Sequence, residues 1–483
     1  MICWARHSMS MGRLLALIAI RMECVVSAAQ TEARPASVRS ARVWRAAPRA
    51  TIETVLIVAG LLVQWLYLPF HLGPDAQDRY QALTQLLSSG TISTSRYSMI
   101  GPIFSAPLWE LGRLAKGSVW WIERYNFLLF VAALAAIWIL LRNRMDRDIL
   151  RLFLLLLVAA SMFPNHISNY YGEVFTSLCV CVGVIAVATG KGRWGWPLMV
   201  VGVANTPATL LGVAAVALVW ALVTKRLRYL LAPVAAYALI AAEAWIRLGS
   251  PFTNGYNGDH GFATVMPYSG KPGFSYPIYF GVLALLFSFG KGLLFYAPGL
   301  FLPVRRRLAA VRERTAFNAP ALYGAWLAFV VGLLLVYGHW WAWYGGNFWG
   351  PRFLLFASIP ASFALALRLR SEAASPLSNA VTLVIALLSS WVALNGAVFD
   401  QPALSPICRA NQYALETLCH NTLEFSALWR PFVVPAQVTH HDWALIGYFT
   451  VVALWVASPV AAALARQIRA GVRGVLGSGG WRL

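Results

Sequence analysis

The chain has 483 residues, of which 59% are hydrophobic and only 12% charged, and its mean hydropathy is +0.63. Ordinary soluble domains carry roughly 25% charged residues, so the composition excludes a simple soluble protein, and it excludes a disordered chain, which needs polar surface or high net charge to stay in water. The net charge of +21 raises nucleic acid as a partner, but the positive residues fall in the gaps between apolar segments, so the basicity reports membrane topology and no nucleic acid is expected.

Twelve apolar segments follow in chain order, near 51–70, 122–141, 149–163, 171–189, 194–204, 209–223, 229–248, 284–303, 317–338, 350–368, 377–397 and 443–464. They predict an all-α polytopic membrane protein of about 12 transmembrane segments. The pair 194–204 and 209–223 is too short for two crossings and reads as a hairpin or re-entrant pair turning at Asn205-Thr206-Pro207. Of the 39 Lys and Arg, 28 collect in residues 1–50, 142–151, 191–193, 225–228, 305–314, 368–370 and 466–482. Positive charge near span ends stays in the cytoplasm, so both termini and these connections are expected inside. The expected organisation is a basic cytoplasmic tail over 1–50, a multi-span domain over 51–465 and a second basic cytoplasmic tail over 466–483. The apolar stretch 14–20 is short for a secretory leader and is followed by Arg-rich sequence, which favours a tail or an early start codon over a cleaved signal.

The outward segments are then 71–121, 164–170, 249–283, 339–349 and 398–442, rich in Asp, Glu, His, Asn, Gly and aromatics, and chemistry is expected on that face. The first begins with PDAQDRYQALTQLLSSG, which places Asp75 and Asp78 three residues apart, on one face if helical, beside Arg79 and Tyr80. A carboxylate near an aromatic, partly desolvated surface is a candidate general base. The alternative is a helix start in which Pro74 opens the helix and the acids complement its dipole. The following IGPIFSAPLWELGRL reads as an amphipathic segment in the interface, with Leu, Ile, Phe and Trp toward lipid.

Farther on, PNHISNYYGE carries Glu173, which either faces the same cavity or caps a helix. Asp259, His260 and Lys271 lie in a Gly/Asn-rich loop whose plain reading is a solvated turn. FSFGKGLLFYAPG puts Lys291 inside an apolar segment, where it needs a partner such as Glu243 or a lipid phosphate. VYGHWWAWYGGNFWGPRF, residues 336–353, contains His339, Trp343 and Arg352. It reads either as an interfacial aromatic belt with a Gly turn or as a phosphate site built from Arg352 and a helix N-terminus. Cys179 and Cys181 lie within a span as small apolar residues. Cys408 and Cys419 share the last outer loop, where an oxidising compartment allows a disulfide across their separation of 11 residues. No CxxC or His/Cys zinc spacing occurs, so no metal ligand set is assigned.

The acidic pair after the first span, the RY…G…YSMIGPIFSAPL loop, the FSFGKGLLFYAPG segment and WWAWYGGNFWGPRF before a late span form an ordered set over roughly residues 51–400. In that order they resemble the GT-C superfamily of integral-membrane glycosyltransferases, which includes the protein O-mannosyltransferases and the aminoarabinose transferases of lipid A. The resemblance implies a GT-C-like fold with interfacial helices in the first outer loop and inverting sugar transfer from a polyprenyl-phosphate sugar donor to a glycan, lipid or protein acceptor. It implies Asp75 as base with Asp78 second, Arg352, Lys291 and Arg79 on the donor phosphate, and Tyr80, Asp259, His260, Glu173, His339 and Trp343 toward substrate. PDAQD departs from a clean DxD or Asp-Glu pair, and the need for a divalent cation stays open. Ala/Arg-rich usage points to a bacterium, hence to an inner membrane with the active site on its periplasmic face. The competing class is a polytopic lipid or sugar transporter or flippase, which would show broken helices in both halves and internal repeats. A ligase-like enzyme with an Arg/His-rich outer loop is the third reading.

Overall fold

The protein is described here from a computed structural model covering residues 38–253, 255–256, 263–312, 315–370, 374–399 and 405–478. It divides into two units, Met1–Thr51 and Ile52–Leu483. In the first, the described residues 38–51 are helical. The second is built from helices and loops, and its described residues contain no sheet, only an isolated β-bridge between His71 and Asn169.

Seven helices among the described residues are long and apolar enough to cross a membrane: Pro48–Tyr67, Pro207–Thr224, Leu227–Leu248, Ala319–His339, Arg352–Leu369, Pro376–Val398 and His440–Arg473. Tyr125–Leu141, Gly172–Ala188 and Ile278–Phe287 are apolar but shorter. The all-α membrane architecture therefore stands with seven candidate spans among the described residues, while several of the twelve expected segments, the shorter apolar helices included, take a different form. The segment at 149–163 becomes a helix of only 13 residues, Arg147–Ala159, buried continuously from Ile149 to Ala159. A helix buried on all sides over that length is a core element, enclosed by its neighbours. The segment at 209–223 is long enough on its own once the 3-10 turn Pro207–Thr209 is joined to Leu210–Thr224. The segment at 284–303 is broken: Ile278–Phe287 stops, Ser288–Gly292 is non-helical, and Leu293–Tyr296 and Pro298–Phe301 follow as short turns. Two glycines and Pro298 in that stretch explain the interruption.

Small residues let the helices approach closely. A Cβ on Gly332 would fall 2.5 Å from the Cα of Gly212, and one on Gly195 would fall 2.5 Å from the carbonyl oxygen of Gly183. Such crossings replace the hydrophobic drive that is missing between helices in lipid with direct packing. Large apolar side chains such as Leu62, Leu66, Leu222, Val234, Ile246 and Leu454 remain exposed on candidate spans, as expected for surfaces solvated by acyl chains.

Three helices follow the first candidate span in the expected outer loop: Pro74–Ser89, Ile100–Leu114 and Ser118–Glu123. Pro74 opens the first and Gly90, at φ 69°, ends it. The Ile100–Leu114 helix is two-faced, but with a correction to its expected orientation. Ile103, Phe104, Leu111 and Leu114 point outward, whereas Trp109 is buried and its indole N–H donates to Thr84 Oγ1 at 3.1 Å. The indole N–H finds a partner inside, and that partner holds the two outer helices together.

Candidate active site

Three helix starts converge on one cluster of charges. Asp75 is in the first turn of the Pro74–Ser89 helix, Glu173 is in the first turn of Gly172–Ala188, and Arg352 opens the 3-10 turn Arg352–Ala357. Arg352 Nη1 donates to Asp75 Oδ2 at 2.6 Å, and its Nε stands 3.9 Å from Glu173 Oε1. The acids complement the positive ends of their own helices, and their joint field offsets the cost of a buried guanidinium at a third helix start. Glu173 stands in the first turn of its helix, which has no side-chain capping bond, and faces Arg352. The guanidinium also lies over the Phe348 ring, 4.0 Å from its centroid, and Arg352 is only 9% exposed.

Backbone connections explain why these starts meet. His71 N donates to Ser168 O at 3.1 Å, and Gly73 N donates to Asn169 Oδ1 at 3.3 Å, tying the start of the Asp75 helix to the segment before Glu173. Asn126 Nδ2 donates to the carbonyls of Asn169 and Tyr171 at 2.7 and 2.9 Å, fixing the same segment from the opposite side. Asn205 closes the arrangement, donating to Gly172 O at 2.9 Å while its Oδ1 accepts from Gly101 N at 3.0 Å.

The turn before Arg352 is shaped by glycine. Gly345, Gly346 and Gly350 have φ of 71°, 76° and 61°, a region that side-chain-bearing residues rarely adopt. Trp349, within this turn, donates from Nε1 to Asn395 Oδ1 at 2.8 Å. The aromatic-belt expectation gives way here, because Trp343 and Trp349 are each 2% exposed.

Burial by itself would raise the Asp75 carboxyl. The adjacent Arg352 guanidinium, the Tyr97 hydroxyl and the charge of Arg79 outweigh it and hold the group below its ordinary value of 3.8. The Tyr97 phenol moves the other way, pushed up by burial and by the negative charge of Asp75. Arg79 is buried, with its guanidinium 4.5 Å from the Tyr97 ring centroid, and a Cβ on Gly172 would meet it within 2.7 Å. Its Nη1 has no hydrogen-bond partner among the described residues, and Arg79 lines a small cavity of about 10 Å³, room for about one water, with Asn126, Tyr170, Tyr171 and Asn205.

The other expected site residues are distributed as follows. Asp78, one turn on from Asp75, makes no ion pair or hydrogen bond among the described residues. Tyr80 packs against the cluster of Leu83, Trp109 and Tyr125. His339 is exposed, with Nδ1 2.6 Å from Tyr276 O. Trp343 packs on Tyr344 and His420, which makes it core rather than an open substrate surface. Asp259 and His260 lie outside the described residues. Lys291 departs from expectation: it pairs neither with Glu243, which binds Arg247 at 2.8 Å, nor with an open site, since its ammonium is 1% exposed and donates to the carbonyls of Gly346, Phe348 and Gly350. Tyr97, Asn126, Asn169 and Phe348 were not singled out in the sequence, although SRYS and PNHISN contain Tyr97 and Asn169. Among the described residues no group of three or more His, Cys, Asp or Glu is placed to hold a metal ion. Cys408 and Cys419 are joined as a disulfide, with Cα atoms 6.2 Å apart.

No family model matches the chain, and no curated protein matches it. Among solved structures it is similar to ArnT from Cupriavidus metallidurans bound to undecaprenyl phosphate, with 14% identity and a TM-score of 0.46, covering 83% of this chain and 76% of that one.

Proposed function

We propose that the chain is a membrane glycosyltransferase that moves a sugar from a polyprenyl-phosphate donor to an acceptor hydroxyl with inversion at the anomeric carbon. Asp75 takes the acceptor's hydroxyl proton as its oxygen attacks that carbon, the bond to the phosphate oxygen breaks, and polyprenyl phosphate leaves with the electron pair. Arg352 holds the phosphate and stabilises the charge that develops on it. The single observation that carries this reading is the Arg352–Asp75 contact, which joins across 277 residues the base and the phosphate ligand that the sequence resemblance implies separately.

The contact also supports an order of events. Before the donor binds, Arg352 keeps Asp75 ionised but engaged. A donor phosphate competes for the guanidinium and adds negative charge, which frees the carboxylate and raises its proton affinity as the acceptor arrives. An acceptor that is a glycan, a lipid or a protein hydroxyl fits this chemistry equally. In this reading the site faces the periplasm, both termini are cytoplasmic, and residues 51–465 form the transferase between two basic tails.

The second reading, a lipid or sugar transporter, has one observation in its favour, the broken segment at Ser288–Gly292 with its buried lysine. The deciding experiment incubates purified protein in lipid with polyprenyl-phosphate sugars, one donor at a time, and follows release of polyprenyl phosphate and labelled product. Donor-specific release that Asp75→Asn abolishes supports transfer. Movement of the lipid-linked sugar across vesicles without product supports transport.

A further inference from the structure

Lys291 stands at the break between Ile278–Phe287 and Leu293–Tyr296. An ammonium has three hydrogens to donate and nothing to accept. All three are engaged by carbonyls of a single turn: Gly346 O at 3.1 Å, Phe348 O, and Gly350 O at 3.0 Å. Lys291 has no carboxylate within ion-pair distance among the described residues, so these carbonyls supply its compensation. Reciprocally, three carbonyl dipoles aimed at one point repel each other, and the positive φ values of Gly345, Gly346 and Gly350 are the backbone form that aims them there. The next two residues are Pro351 and Arg352.

The break itself is held from behind. Gly290 N donates to His420 O at 2.9 Å, and the helix Glu416–Asn421 that carries His420 is stapled by the Cys408–Cys419 bridge. A Cβ on Gly290 would lie 2.5 Å from Cys419 O, so the contact is close along its length.

We infer that Lys291 is a positioning residue for the donor-phosphate site: an internal cation that gathers the carbonyls of residues 346–350 and so sets where the Arg352 guanidinium stands, without touching the phosphate itself. This rests on the proposed phosphate role of Arg352. It assigns the lysine a task different from the phosphate ligation expected from sequence, and it explains how a buried lysine is accommodated without an ion-pair partner among the described residues, Glu416 acting on it only at longer range.

The test compares full-length wild type, Lys291→Met, Arg352→Ala and the double variant for binding of polyprenyl phosphate and of the uncharged polyprenol. Lys291→Met should bind polyprenyl phosphate about tenfold or more weakly, the scale of one lost charge-assisted contact, and polyprenol as wild type does. Added to Arg352→Ala, it should cost nothing further, because it acts through Arg352. Wild-type phosphate binding by Lys291→Met, or additive losses in the double variant, would overturn the inference, the latter by giving Lys291 a phosphate contact of its own.

Hydrogen exchange separates this inference from the functional reading. Lys291→Met should accelerate exchange at the amides of residues 344–350 while those of the Pro74–Ser89 helix keep their rates, whatever the ligand proves to be. If Arg352→Ala binds polyprenyl phosphate as wild type does, the donor reading fails and the exchange pattern alone decides. Unchanged exchange at 344–350 overturns the positioning role. Should Lys291→Met fail to accumulate folded, Lys291→Arg keeps the charge but presents a planar fork in place of three converging donors, and the same regional acceleration is expected, its absence counting against the inference.

Discussion

Asp75 Oδ2 and Arg352 Nη1 are 2.6 Å apart although 277 residues separate them in the chain. The two groups come from opposite sides of the fold's construction, one at the start of an outer-loop helix and one after a glycine turn that ends a span-to-span connection. A pair made at this cost in chain ordering constrains both ends, and under the proposed mechanism the carboxylate and an incoming donor phosphate compete for the same guanidinium.

That competition distinguishes the two acids of the first outer loop. Asp75→Asn keeps the side chain's shape and removes proton acceptance, so turnover in a donor-to-acceptor assay should fall by about 100-fold or more while protein level and donor binding persist. Asp78→Asn should keep turnover within a few-fold of wild type, since Asp78 makes no ion pair among the described residues. The reverse pattern would move the base three residues on; near-normal turnover in both would end the loop-one carboxylate mechanism.

The same pair gives a pH dependence of known sign. The folded-state pKa of Asp75 is lowered from 3.8, with burial opposing and Arg352 prevailing. A depressed carboxyl contributes stability that is fully present above its unfolded value and is lost as pH falls through the folded one. The melting temperature of wild type should therefore drop more steeply than that of Asp75→Asn as pH is taken from about 5 to below 3.8. Parallel curves for the two proteins would show that the pair is not linked to folding.

How legible was this in the sequence? The helix-rich membrane class followed from apolar runs, which report burial or lipid contact directly, and Arg352 stood out as a cation beside a glycine turn in an aromatic stretch. What the runs could not report was who surrounds whom. Most of Arg147–Ala159 is apolar, as a lipid-facing span would be, yet it is enclosed by protein. Ile278–Phe301 contains a break that hydropathy averages away. Lys291 was legible as costly, but its carbonyl partners lie 55 to 59 residues away on a turn whose geometry depends on glycine dihedrals. Asn126 and Asn169 carried no signal, because a buried asparagine is recognised only by the backbone groups it joins.

A second charge cluster, away from the site, sets a stability prediction. Glu53 is fully buried and meets Arg151 at 3.5 Å and Arg370 through a short contact, with Arg151 also on Asp148. Removing the acid takes a buried negative partner from two mostly buried guanidinium groups, and breaking such a pair typically costs about 3–5 kcal/mol. Glu53→Gln should sharply reduce the amount of folded protein and its melting temperature, while the turnover of whatever folds stays near wild type. Turnover falling with folded level unchanged would instead place Glu53 in the reaction.

The Cys408–Cys419 bridge closes a short loop, with a separation of 11 residues. A loop of about 15 residues is worth about 3 kcal/mol in the chain-entropy account, so reduction, or Cys419→Ser, should lower the melting temperature by a few degrees. Mass spectrometry without reductant should recover one linked peptide. Two free thiols in protein from intact membranes would remove the bridge, and with it the expectation that this loop meets an oxidising compartment.

Asn169 provides the last test, because it acts on Asp75 from one side only. Its Oδ1 accepts from Gly73 N at 3.3 Å and from Tyr170 N at 2.8 Å, and its Nδ2 is 2.9 Å from His71 Nε2. Asn169→Ala loses all three and loosens the start of the helix that carries Asp75, whereas Arg352 is still held through the Trp349–Asn395 bond on the far side. Turnover should fall by about tenfold, in line with a misplaced catalytic group, and donor affinity should change little. Asn169→Asp keeps the two accepting contacts and should recover much of the lost turnover. If Asn169→Ala weakens donor binding as strongly as it slows transfer, the asparagine is supporting the whole cluster and its specific hold on the Asp75 helix is disproved.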